Sequence, residues 1–244
     1  MTEKQRIAKW DEFVKMVLTS TYVDDDEDEQ DRQWRIAELE EDPEEWFRYY
    51  FPRFAYAPAS AFHKEATKRI LENKEWYEVR MWSRELAKST RTMMEVFYLT
   101  LVGHKAPQKN CTEPSYTTHS TSPSPLERDG ERYKKRYVLL VSNSLDNAER
   151  LLMPYRANME YNKRIIQDYG MQVSDGHWEA TEFITQKGVT FRALGVGQSP
   201  RGARTDEVRP DIILFDDVDT DADCLNPELV ARKWRWVEEA AIGT

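Results

Sequence analysis

The first strong pattern along the chain is helical. Ile7, Trp10, Phe13, Val14, Val17 and Leu18 recur three and four residues apart, which places them on one face of a helix over 3–19. That stripe needs a surface to pack on. A second helical stretch is predicted over 32–49, closing in the aromatic cluster Trp46, Phe47, Tyr49, Tyr50, Phe51, Phe54 and Tyr56, which Pro52 and Pro58 interrupt. Pro58 is expected to open a helix through Phe62, Ala66 and Ile70, because proline at the first helical position gives up no hydrogen bond. Past Trp76 the pattern becomes strand and helix in alternation. The spacing predicts a strand over 75–82, a helix over 88–102 and a buried strand over 137–142 through Val138, Leu139, Leu140 and Val141. Ala148, Leu151, Leu152, Tyr155 and Met159 then mark a helical face that Pro154 is expected to kink or divide. Strands over 178–186 and 189–194 join at Lys187-Gly188, a strand follows over 212–215, and a helix over 229–237. Such alternation predicts an α/β fold with a mainly parallel sheet flanked by helices, preceded by an N-terminal helical segment.

Composition refines this in two places and bounds the whole. Asp24 to Asp28 form an acidic run, readable as a solvated linker or as an interaction tail. Residues 104–132 hold Pro107, Pro114, Pro123 and Pro125 among many serines and threonines, which predicts a flexible insertion without a core of its own. The expected organisation is therefore a segment over 1–45 and one α/β domain over 46–244, a length that a single sizeable core can serve. A net charge of -9, from 35 Lys and Arg against 44 Asp and Glu, excludes a protein that coats nucleic acid through a general positive field. Any DNA contact must be local, with Lys134, Lys135 and Arg136 as candidates. No apolar run approaches the roughly 20 residues of a membrane-spanning helix, and the polar start is no signal peptide, so a cytosolic protein is expected. Cys111 and Cys224 lack partners at metal-ligand spacing and read as reduced thiols.

The chemistry concentrates in three motifs. Trp82-Ser83-Arg84-Glu85-Leu86-Ala87-Lys88-Ser89, continuing to Thr90, lies between a predicted strand and a predicted helix. A phosphate-binding loop needs that context, because backbone N–H groups at a helix N terminus must face the anion. Lys88 would reach the β- and γ-phosphates and the Ser89 hydroxyl would ligate Mg²⁺. Trp82 and Ala87 stand where the G-x-x-x-x-G-K-[ST] pattern has glycines, and a Lys-Ser pair also suits a solvated first turn. The second motif, Pro210 to Asp217, is an apolar strand ending in two carboxylates. Delivered at the C-terminal end of a buried strand, Asp216 would hold Mg²⁺ and Asp217 would orient or deprotonate the attacking water. A helix cap, an acidic loop or a calcium loop are the alternatives, since Asp219, Asp221 and Asp223 follow, although the glycine and terminal glutamate of an EF-hand are absent. Phe54 and Tyr56 are candidates for stacking on an adenine ring, against an ordinary role in the core. Ser142-Asn143-Ser144 reads as a helix cap or as polar groups near a ligand.

The third motif, Gly195-Val196-Gly197-Gln198-Ser199-Pro200-Arg201-Gly202, completes a conjunction that resembles phage terminase large subunits over roughly residues 45–240. Their ATPase domains carry a deviant phosphate loop with an early arginine, then a glycine-rich segment with an Arg-Gly pair, then the acidic strand. The resemblance implies a RecA-like P-loop NTPase core that hydrolyses ATP with Mg²⁺. It further implies a homo-oligomeric ring on the portal protein, working with a small terminase subunit to drive double-stranded viral DNA into a procapsid in the host cytoplasm. By position Arg84 resembles the loop arginine, with Ser83, Glu85, Leu86, Ala87 and Thr90 as its nucleotide-binding neighbours, and Lys88 the phosphate lysine. Asp216 resembles the metal carboxylate and Asp217 the catalytic one, while Arg201 and Arg204 are finger candidates or surface arginines. The family usually has glutamate where Asp217 stands, and its nuclease domain has no counterpart here. A helicase-like or repair translocase would share two motifs but need a second such domain, and a degenerate nucleotide-binding scaffold for capsid assembly is the non-enzymatic alternative.

Overall fold

A computed structural model describes residues 2–104, 132–198 and 209–238. The insertion core, Cys111, Ser199, Pro200, Arg201, Gly202 and Arg204 lie outside these described residues. Five helices come first: α1 (Glu3–Ser20), α2 (Glu29–Leu39), α3 (Pro43–Tyr50), α4 (Ala61–Glu72) and α5 (Lys88–Leu101). Then come β1 (Tyr137–Ser142), α6 (Leu145–Tyr161), α7 (Lys163–Tyr169), β2 (Val173–Trp178), β3 (Glu182–Thr185), β4 (Thr190–Gly195) and β5 (Ile212–Phe215). Helices α8 (Asp221–Cys224) and α9 (Pro227–Trp236) follow.

The sheet has the order β2-β3-β4-β1-β5. Strand β1, buried at all six positions, pairs in parallel with β4 and β5, whereas β2, β3 and β4 pair antiparallel. The fold is thus α/β with a parallel centre and an antiparallel flank. Register places Ser142 opposite Gly195 and Val141 opposite Phe215, so the three parallel strands end along one edge. In open α/β sheets that edge is where ligands bind.

Alternation divides β1 between two faces. Val138 and Leu140 join Phe183, Phe191 and Ala193 in a core with Met94, Phe97 and Tyr98 of α5, Leu152 and Tyr155 of α6, and Trp46, Phe47, Tyr50 and Phe51. Leu139 and Val141 face the other way, with Leu194, under Val196, Ile213, Val218 and Trp236. The predicted apolar stripe of α1 finds its surface on α6: Trp10 meets Tyr161 edge-on under the Arg156 guanidinium, and Arg6 donates to Asp146.

Several sequence expectations are corrected. The stretch predicted as one helix over 32–49 breaks at Asp42, whose carboxylate caps the next helix while Pro43 occupies its first turn. Pro58 precedes α4 without opening it, since Ser60 is the cap. Pro154 leaves α6 unbroken, and the chain turns only at Asn162, which caps α7. The strand predicted over 178–186 is a turn followed by β3, and β2 lies upstream in the polar run Val173 to Trp178. Within the acidic run Asp28 caps α2, and Glu27 pairs with Arg35, which also grips the buried Asp168. Asp24, Asp25, Asp26 and Asp28 are exposed, so the run is solvated as expected and is anchored through Glu27.

The largest departure is the segment 75–82, which pairs with no strand. Its alternation is real: Tyr77, Val79 and Met81 point to solvent, while Glu78 and Arg80 are partly buried. Arg80 donates to Glu78 and to Thr92 of α5 and pairs with the buried Glu95 at 2.7 Å. Burial works against the Arg80 charge, and the two glutamates outweigh it, so the guanidinium is held above its ordinary range. These side-chain contacts on α5 replace a backbone ladder.

Candidate functional site

Helix α5 begins without a capping side chain. Ala87, at its N-cap, has φ +54°, and two residues earlier Glu85 has φ +69°. Asp217 is the remaining described non-glycine residue with positive φ, at +47°. Such backbone costs roughly 1–3 kcal/mol per residue and persists where surroundings impose it, commonly at binding sites. Ala87 occupies the second glycine position of the phosphate-loop pattern, so the backbone keeps the glycine conformation without the glycine. With no cap, the N–H groups of the first turn have no intrahelical partner and point out of the helix, an arrangement that attracts anions.

Lys88 and Ser89 therefore start a helix whose remaining length, from Arg91 to Leu101 apart from Thr92, is buried. Arg91 anchors that buried part, donating from Nε to Thr67 at 2.8 Å and from Nη1 to Glu44 at 2.9 Å. Across the site, β5 ends at Phe215, and the Asp216 amide donates to the Val141 carbonyl at 3.0 Å. The Asp217 carbonyl accepts from the Asn143 amide at 3.2 Å, fixing the turn after β5 to the turn after β1. These two bonds bring the acidic pair to the end of α5. Lys88 Nζ lies 3.8 Å from Asp216 Oδ1, and Ser89 Oγ donates to Asp216 Oδ2 across a long 3.4 Å. Asp217 is exposed and its carboxylate has no partner among the described residues.

The Ser89 hydroxyl and the Asp216 carboxylate are oxygen donors of the kind that Mg²⁺ takes. Neighbouring ligands of octahedral Mg²⁺ sit roughly 3 Å apart, and the ion usually combines one or two protein oxygens with phosphate and water. Ser89 and Asp216 need to close by a few tenths of an ångström. Among the described residues no group of three or more His, Cys, Asp or Glu could hold a metal by itself. Two cavities, of about 430 and about 500 Å³, open elsewhere, beside Arg192 and Gln198 and between α3 and α4. Lys88 and Asp216 line neither of them.

Of the other candidates, Ser83, Arg84 and Glu85 are exposed, and Arg84 has no partner among the described residues. Leu86 is exposed and its carbonyl meets His63, while Thr90 is half-buried in the first turn of α5. Phe54 packs on Phe13 and Tyr56 is exposed, so neither contacts the loop through an aromatic pair. Ser144 caps α6 as predicted. Lys135 is buried, donating to the Lys74 carbonyl with its ammonium pushed below the usual range by burial, and it drops out as a DNA contact. Asp219 and Asp223 clasp Lys233 of α9, and that bond holds the Asp223 carboxyl well below the usual range, a structural use rather than a calcium loop.

The glycine-rich motif has a geometric reason where it is described. A Cβ on Gly195 would lie 2.7 Å from the Leu145 amide nitrogen, so the end of β4 must be bare for α6 to start beside it. Gly197 has φ +87°, and Gln198 closes the turn by accepting from the Gly195 amide. Sequence reasoning missed His63 and the buried set Thr67, Arg91 and Glu95, while Asn143 stood only as part of a cap or of polar groups near a ligand. A histidine three residues after Ser60 is a capping-box spacing and was the one available signal for His63. Comparison of the chain with family models, with curated proteins and with solved structures finds no match.

Proposed function

We propose that the chain binds and hydrolyses ATP with Mg²⁺ at the α5–β5 site, as a RecA-like ATPase domain of a viral terminase large subunit. One observation carries the reading: an ammonium and a hydroxyl at an uncapped, strained helix start face a carboxylate at the end of a parallel strand. Uncapped amides and the positive end of α5 attract the phosphates. Lys88, which lies beside Asp216, would turn to the β- and γ-phosphates. Ser89 and Asp216 would hold Mg²⁺, which would supply positive charge to offset that developing on the phosphoryl oxygens. Asp217, free and exposed one residue on, orients the attacking water. The terminase assignment rests on the three-motif resemblance, and the ring on the portal, the small subunit and double-stranded DNA come with it. Arg84 and Arg201 are its charge-stabilising candidates.

Calorimetry with MgATP tests the site. Lys88→Ala is expected to weaken binding at least tenfold, and equal affinity in both proteins would refute the assignment. Asp217→Ala is expected to keep nucleotide affinity and lose turnover on the order of a hundredfold, measured with portal and DNA present. Unchanged turnover would remove Asp217 from the reaction.

A further inference from the structure

The loop before α5 has no glycine, yet Glu85 and Ala87 hold left-handed backbone. The first turn of α4 supplies two holds on it. Trp82 lies against Phe62 and His63, with ring centroids 5.1 Å away in each case, and the Arg80 guanidinium lies 5.0 Å from its ring centroid. Four residues further along, His63 Nε2 reaches the Leu86 carbonyl at 2.9 Å.

The direction of that bond follows from the cap of α4. The Ser60 amide donates to His63 Nδ1 at 3.3 Å, and a backbone amide can only donate. Nδ1 is therefore the acceptor nitrogen, so Nε2 carries the proton and donates to Leu86. No peptide in the described chain is cis, and in a planar trans peptide the C=O and N–H point in opposite directions. With the Leu86 carbonyl turned to α4, the Ala87 amide points away from α4 at the uncapped start of α5.

Resting on the nucleotide reading above, we infer that His63 is a positioning residue of the phosphate loop, which holds the Leu86 carbonyl back so that the Ala87 amide meets the phosphates. Released, that peptide can rotate and present carbonyl lone pairs to the anion. The device substitutes for glycine: a side chain from a neighbouring helix imposes what the loop's own residues disfavour.

The test titrates wild type, His63→Ala and His63→Gln with MgATP and with magnesium tripolyphosphate, which has no base. His63→Ala is expected to lose about threefold to tenfold in affinity for both ligands, the worth of one hydrogen bond. His63→Gln can donate from its amide to the same carbonyl and is expected to stay within about threefold of wild type. Equal binding by His63→Ala and wild type overturns the inference, as does an equal loss in both variants. A loss for ATP alone, with tripolyphosphate unaffected, assigns His63 to the base and overturns it too. Failure of the wild type to bind either ligand overturns the nucleotide reading itself, and this inference with it.

Discussion

The two faces of the sheet are built to different standards. On one, Trp46 donates to Tyr169, packs on Phe47, Tyr50, Phe51 and Tyr98, and is fully buried with three of those four rings. On the other, three buried aliphatic residues lie beneath partly exposed side chains, and Trp236 is the one aromatic among them. Helices α3, α5, α6 and α7 close the first face through interdigitated rings. The second depends on a short helix docked through Trp236 and through the Lys233 clasp. The candidate site lies where α5, rooted in the thick face, meets the end of β5 at the sheet edge. Its lysine and serine start the helix rooted in the thick face, while the acidic pair follows a strand that borders the thin one.

Truncation on each face breaks the comparison most directly. Trp46→Ala removes a fully buried ring and is expected to cost roughly 3–5 kcal/mol, a large share of the stability of one domain. Trp236→Ala removes a half-buried ring and one hydrogen bond to the Gln198 carbonyl, for roughly 1–2 kcal/mol. Denaturant unfolding of both variants measures the difference. Similar losses would mean that the thin face contributes as much as the aromatic one, and the contrast would fail.

Legibility in the sequence follows the same division. Helix α5, β1, β5 and the stripe of α1 were readable within a residue or two, because the helices are long periodic runs and the two strands are short unbroken apolar runs. Prolines were harder: Pro154 stays inside α6, where packing outweighs the lost hydrogen bond, and Pro43 opens a helix inside an apparent continuous run. The 75–82 segment shows what alternation cannot tell. A period of two reports an extended chain with two sides, and Arg80 binding α5 satisfies that as well as a sheet does. Strand β2 was invisible because Ser174, Asp175, Gly176 and His177 carry no apolar signal. At the site, motif spacing identified Lys88, Ser89 and Asp216, which the fold brings within 4 Å. The bonds from His63 to Leu86 and from Asn143 to Asp217 join distant segments, and no local pattern encodes such contacts.

Ala87 offers the finest adjustment of the comparison, because it sits on the thick-face helix yet carries the strain of the site. Its φ of +54° costs an L-residue about 1–2 kcal/mol, and glycine adopts it freely. Glycine also widens the unfolded ensemble, which takes back roughly 0.4–1 kcal/mol. Ala87→Gly is thus expected to stabilise the protein by less than about 1 kcal/mol, a rise of about 1–3 °C in Tm. Scanning calorimetry reads the sign. A fall in Tm would show that the surroundings impose no strain at 87, and that the Cβ of Ala87 makes a packing contact worth more than the left-handed backbone costs. A rise would locate removable strain at the start of α5, and with the His63 contact intact it should leave the affinity for MgATP within about threefold of wild type.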